Sequence, residues 1–97
     1  MRSLSIFVDA CRYGSFSRAA KENYMTVQNV SKAISDMERD AGLRLFERTC
    51  HGVSPTAAGR ALLPFAEGVL REAAAWEDKV DLVRAALRFG GLGPVGE

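Results

Sequence analysis

Cysteine is scarce in this 97-residue chain: Cys11 and Cys50 are the only two. They form no CxxC pair, and two cysteines do not make a disulfide framework. His51 is the single histidine, so a zinc site or a His-based triad has little to draw on. No apolar run approaches the ~18–20 residues of a membrane span. The opening stretch MRSLSIFVDA lacks a signal peptide's apolar segment, because Asp9 and the charges after it interrupt it. An excess of one charge is also missing: thirteen Lys and Arg against twelve Asp and Glu give a formal +1. A bulk polycation for nucleic acid or an acidic membrane is excluded, so any charged surface must come from distribution. The expectation is a cytoplasmic, reduced protein with no metal, no cofactor and no membrane contact.

What is present suits one globular domain. At 47% hydrophobic and 26% charged residues, a packed core is feasible. Residues 1–55 hold eight basic and six acidic side chains, a net +2, whereas residues 56–97 hold five and six, a net −1. No internal repeat occurs.

Helical periodicity runs through most of the chain. Leu4, Phe7, Val8 and Cys11 recur at i, i+3, i+4, i+7, with Ser3 as N-cap and Gly14 as a stop. A short second helix follows Ser15-Phe16-Ser17, either serine capping it, with Ala19, Ala20 and Tyr24 facing inward. Thr26 caps a third helix reaching about Ala41, which Gly42 ends. Val27, Val30, Ile34, Met37 and Ala41 form its apolar stripe. The opposite face carries Gln28, Lys32, Ser35 and Arg39, flanked by Asn29, Ser31 and Asp36. Short polar residues dominate the N-terminal half of that face, which suits close approach to another surface.

After Gly42 the residues Leu43-Arg44-Leu45-Phe46-Glu47-Arg48 alternate as a short strand. Thr49-Cys50-His51-Gly52 supplies a turn, and Val53-Ser54 returns as the partner strand before Pro55. From Thr56, its own cap, a long helix begins. Leu62, Ala66, Val69, Ala73, Trp76, Val80, Val83 and Leu87 step by four and three in an unbroken heptad stripe. Pro64 is expected to kink this helix without ending it. The helix would run ~48 Å, against a 55-residue body only ~25 Å across. Its distal stripe therefore calls for a second copy, and a homodimer through these eight residues is expected. The glycine-rich residues 89–97 read as a flexible tail.

Short helix, tight turn, capped helix, hairpin and long helix is the order of a winged helix-turn-helix. The expected architecture is mainly α: a three-helix core with a two-stranded wing over residues 1–55, a linker and dimerisation helix over 56–88, and the tail.

Three stretches resemble LysR-type transcriptional regulators: Phe7 with Gly14-Ser15-Phe16-Ser17-Arg18-Ala19-Ala20; Val30-Ser31-Lys32-Ala33-Ile34 with Met37-Glu38 and Gly42-Leu43-Arg44-Leu45-Phe46-Glu47-Arg48; and Thr56-Ala57-Ala58-Gly59. The match is collinear over residues 4–70. The resemblance implies a dimeric winged helix-turn-helix DNA-binding domain and a transcriptional, non-enzymatic role. Family members often carry Gln-Pro directly after the cap of the recognition helix, where this chain has Val27-Gln28-Asn29. Pro55 stands where Leu commonly precedes the Thr, and Met37 where Leu is usual. The family's large C-terminal effector domain has no counterpart in these residues, so no effector ligand is expected on them.

The expected partner is double-stranded DNA. Gln28 and Asn29 suit adenine N6/N7, and Lys32 suits guanine O6/N7 or a phosphate. Val27 packs inward or touches a thymine methyl. Ser31 and Ser35 bond phosphates or bases, while Thr26, Ser17 and Arg18 position the backbone. Arg48 and His51 flank the wing, within reach of phosphate or minor groove. Arg44 reads as an ordinary surface charge and Cys50 as a turn residue, whereas Cys11, Phe7, Phe16, Ile34 and Phe46 read as core. A protein-interaction module that kept the helix-turn-helix core is the competing reading. An enzyme ranks far behind it, since one His and two separated Cys assemble no cleft chemistry.

Overall fold

The structure, a computed structural model, describes residues 2–88; the proposed tail lies outside the described residues. Four helices and a hairpin follow in order: α1 (Arg2–Tyr13), α2 (Phe16–Glu22), α3 (Val27–Ala41), β1 (Phe46–Thr49), β2 (Gly52–Pro55) and α4 (Ala57–Arg88).

The core is where α1, α2 and α3 meet the root of the hairpin. Ile6, Phe7, Ala10, Ala19, Val30, Ile34 and Leu45 are each almost fully buried there. The sequence pattern picked Phe7 and Val8 on α1 but not Ile6 and Ala10, which widen the stripe into a broad inward face. Ser3 lies inside α1, which already begins at Arg2, and so does not cap it. Gly14 ends the helix with φ +62°, its N–H donating to the Ala10 carbonyl at 3.0 Å. Cys11 is half-buried, and burial followed by the nearby Glu67 carboxylate pushes its thiol up to about 11.

Ser15, not Ser17, caps α2: its Oγ accepts from the Arg18 N–H at 3.1 Å. The turn to α3 corrects one expectation. Tyr24 does not face inward; it is 94% exposed and takes a left-handed φ of 56°. The cause is the way α2 ends. Tyr24 N–H donates to the Lys21 carbonyl and Met25 N–H to the Ala20 carbonyl, a Schellman closure whose left-handed residue is usually glycine. That closure turns the Tyr24 side chain to solvent and delivers Met25 to the core edge.

Thr26 caps α3 through its Oγ1, which accepts from the Asn29 N–H at 3.1 Å. Gly42, at φ +68°, ends α3 in the same Schellman geometry, with Leu43 N–H donating to the Glu38 carbonyl. Val30 and Ile34 fill the core and Met37 packs at its margin. The stripe frays at both ends: Val27 is 44% exposed and Ala41 is exposed.

The first strand is shorter than the alternation suggested. Leu43-Arg44-Leu45 is not strand, because the Glu38 carboxylate on α3 takes the Leu45 N–H at 2.7 Å and the Phe46 N–H at 3.3 Å. Pairing runs from Phe46 opposite Pro55 to Thr49 opposite Gly52, leaving Cys50-His51 as a two-residue tip. Phe46 anchors the root between Phe7 and Phe16, edge-on to both, with ring centroids at 5.6 and 5.5 Å. Behind it the Val53 N–H donates to the Gly14 carbonyl. Gly52 allows this approach, since a Cβ there would lie 2.4 Å from the Gly14 oxygen.

Thr56 caps α4, its Oγ1 accepting from the Gly59 N–H and its hydroxyl donating to the Arg44 carbonyl at 2.6 Å. Leu63, Ala66 and Leu70 lay the first half of α4 against the core and α1. Pro64 sits inside α4 and does not end it. The molecule measures 58 × 24 × 19 Å, with a radius of gyration of 17.6 Å against ~12 Å for a compact chain of this size.

Candidate nucleic-acid interface

The polar face of α3 stands clear of the core. Thr26, Gln28, Asn29, Lys32 and Ser35 are exposed, and Ser31 is half-buried. The cap and the apolar stripe produce this arrangement together: Val30 and Ile34 point inward with Ala33 beside them, which turns Gln28, Lys32 and Ser35 outward. Val27 is exposed beside Gln28, which leaves its methyls available to a partner.

Charge on this face is organised, not scattered. Asp36 Oδ2 accepts from Lys32 Nζ at 3.1 Å, and Asp36 Oδ1 bonds the Arg39 guanidinium. The Lys32 hydrogen bond, then the positive charges of Lys32 and Arg39, hold the Asp36 carboxyl below its usual value. Ion pairs this exposed are weakened by solvent screening, so they orient Lys32 without locking it. Sequence reasoning placed Asp36 and Arg39 on the surface but missed this pairing. Spacings of four and three residues were the available signal.

Arg18 at the start of α2 is occupied: its Nε bonds Glu22 Oε1 at 3.2 Å, and its guanidinium lies 4.7 Å from the Tyr13 ring centre. Ser17 beside it is exposed. On the wing, the Arg48 guanidinium sits 5.5 Å from the Phe16 ring centre, and no ion pair to Glu47 occurs among the described residues. His51 is exposed at the tip, its backbone N–H donating to Thr49 Oγ1 at 3.2 Å.

Between α3 and the wing lies a cleft of about 210 Å³, whose lining includes Ser31, Ser35, Glu38, Arg44 and Arg48. The cleft joins two groups that the sequence presented as separate, the α3 serines and the wing arginine. It also adds Arg44, which local patterning left as a surface charge. Arg44 Nε lies 3.9 Å from Glu38 Oε2, the carboxylate that holds the start of the wing. Ser31, Ser35 and Arg48 thus share one cleft, with Glu38 bonding the start of the wing to α3.

The eight stripe residues of α4 divide. Ala66 is buried in the chain's own core, and Ala73 lines a shallow groove with Arg2, Ser5 and Asn23. Leu62, Val69, Trp76 and Val83 are exposed, Trp76 at 71%, and Phe65 and Leu82 add further exposed apolar surface. Trp76, Val80, Val83 and Leu87 line an almost wholly apolar groove along the distal half. Among the described residues, no helix is long and apolar enough to cross a membrane.

A capped helix, a tight turn, a second helix with an outward polar face, and a hairpin beside it define a winged helix-turn-helix. The family model described as "Bacterial regulatory helix-turn-helix protein, lysR family" matches residues 1–60, and the chain belongs to that family. The regulator y4mQ of Sinorhizobium fredii is 44% identical over 72 residues, covering 74% of this chain and 24% of that protein. The regulator CbbR of Rhizobium meliloti is 37% identical over 91 residues, 94% of this chain and 29% of that protein. Among solved structures, a CbnR DNA-binding domain in complex with DNA superposes with a TM-score of 0.78 at 29% identity, covering 86% of this chain and 95% of that one. The chain spans only 24 to 31% of the length of the first curated relatives it matches.

Proposed function

We propose that this chain is the DNA-binding part of a cytoplasmic transcriptional regulator and that it binds duplex DNA as a homodimer without enzymatic activity. The observation that carries the reading is the exposed polar face of α3, from Thr26 to Ser35, on a winged helix-turn-helix whose structural neighbour was solved on DNA. In this reading α3 lies in the major groove. Gln28 and Asn29 bond base edges, Lys32 reaches a guanine or a phosphate, and Val27 contacts a thymine methyl. Ser17, Arg18 and Thr26 meet one backbone strand, and Ser31 and Ser35 the groove wall. Arg48 and His51 carry the wing to the flanking backbone or minor groove.

Three units are proposed within the chain: the head at residues 1–55, the linker helix at 56–88 and the tail at 89–97. Leu62, Val69, Trp76, Val80, Val83 and Leu87 meet the same residues of a second copy, with Ala73 at the edge and Ala66 supporting from the core. The ~48 Å length of α4 and the exposure of Trp76 support this reading.

The test is duplex binding by the purified chain, read by fluorescence anisotropy on a sequence selected from a randomised pool. Wild type is expected to bind, with affinity falling steeply as salt rises because phosphate contacts release counterions. Lys32→Ala should bind roughly tenfold or more weakly, a loss of ~1–3 kcal/mol. Equal affinity of the two proteins, or no shift of any duplex at low salt, would overturn the reading.

A further inference from the structure

Asp36 is the one acid on the outer face of α3 whose two carboxylate oxygens are both engaged by cations of the same face. Oδ2 takes Lys32 and Oδ1 takes Arg39, and both cations lie on the solvent side, their side chains 75% and 72% exposed. Asp36 itself is only 39% exposed, set low between them. Lys32, Asp36 and Arg39 together carry +1 where the two cations alone would carry +2. Nothing in the fold requires this acid: its hydrogen bonds all go to those two side chains.

We infer that Asp36 is a specificity-determining residue, which tethers Lys32 and Arg39 and so weakens indiscriminate attachment to DNA phosphates. The inference rests on the DNA-binding reading above. Free Lys and Arg side chains can seek any phosphate near them, and each such contact adds affinity without sequence information. Lys32 held by Asp36 is oriented along α3 and is less free to seek a nearby phosphate. A site that reads sequence with few residues gains most from suppressing the background term, since unspecific sites vastly outnumber specific ones.

The experiment compares wild type, Asp36→Asn, Lys32→Ala/Arg39→Ala, and the triple variant. Each is titrated onto a mixed-sequence 30-base-pair duplex and onto the duplex selected by wild type, across a salt series. Asp36→Asn is expected to bind the mixed-sequence duplex roughly three- to tenfold more tightly per protomer at low salt. Its salt dependence should steepen by about one further phosphate contact per protomer. Affinity for the selected duplex should rise less, so that discrimination falls. On the Lys32→Ala/Arg39→Ala background the same substitution should change mixed-sequence binding by less than about twofold, because the cations it would release are gone; a mere effect on helix stability would persist there. Unchanged or weaker binding of the mixed duplex by Asp36→Asn overturns the inference while leaving DNA binding by wild type intact. An altered base preference at one position, with mixed-sequence binding unchanged, makes Asp36 a base reader and also overturns it. Wild type that binds neither duplex overturns the DNA reading and the inference with it.

Discussion

Asn23 shows how much one residue can organise. Its Nδ2 donates to Asp9 Oδ2 at 2.9 Å and to the Ala19 carbonyl at 2.8 Å, and its Oδ1 accepts from Ser5 Oγ at 3.0 Å. One side chain thereby joins two positions of α1 to the end of α2 and sets the corner from which α3 departs. Nothing in the local sequence marked it, because its partners lie 14 and 18 residues away. Asn23→Ala leaves those partners short of hydrogen bonds in a half-buried site, at a cost of ~1–3 kcal/mol. Thermal unfolding should show a midpoint at least ~4 °C lower, and an unchanged midpoint would count against this role. Other single residues were legible. Thr26 as a cap and Gly42 as a left-handed stop follow from side-chain chemistry alone. Tyr24 was not, because the need for a left-handed residue arises from how the α2 carbonyls are closed and not from what tyrosine prefers.

α3 was readable as an element because its one-sided apolar period, its cap Thr26 and its stop Gly42 are all local, while α1 and α4 were readable mainly from their apolar periods. The hairpin was readable only in its centre. Its start is decided by Glu38, seven residues earlier, whose carboxylate captures the Leu45 and Phe46 N–H groups and converts a would-be strand into a strut between α3 and the wing. Periodicity over residues 43–48 carries no trace of that long-range bond. The same strut brings Arg44 and Arg48 toward Ser31 and Ser35, so the cleft between α3 and the wing was equally hidden. Glu38→Ala should leave the three-helix core folded but release the wing. Hydrogen exchange at the Leu45 and Phe46 amides should then speed up by roughly tenfold or more, corresponding to ~1.5 kcal/mol or more of lost local stability. Protection at Phe7 and Val30 should change little. Uniform loss of protection throughout would show that Glu38 supports the whole core, and no change at all would show that its hydrogen bonds are immaterial.

At the scale of the whole molecule, near-neutral charge and unequal shape belong together. The chain keeps its small positive excess in the head and its acidic excess beyond residue 55, while α4 carries exposed apolar surface through Leu62, Val69, Trp76 and Val83. On the proposed DNA-binding reading, a head that relies on a few placed contacts and not on bulk charge would gain affinity chiefly by being doubled, which converts a second half-site contact into an intramolecular event. The heptad stripe was legible because its period is local. That Ala66 belongs to the head's core was not, since α1 supplies the surface it meets.

Hydroxyl-radical footprinting tests this account most directly, with wild type and Trp76→Glu compared on the duplex that wild type selects. The account predicts that wild type protects two half-sites related by a dyad, their centres ~34–36 Å apart or a multiple of that. Trp76→Glu, unable to pair its α4 stripe, should leave no footprint at the same concentration. A single asymmetric footprint from wild type, or an undiminished pair from Trp76→Glu, would contradict it.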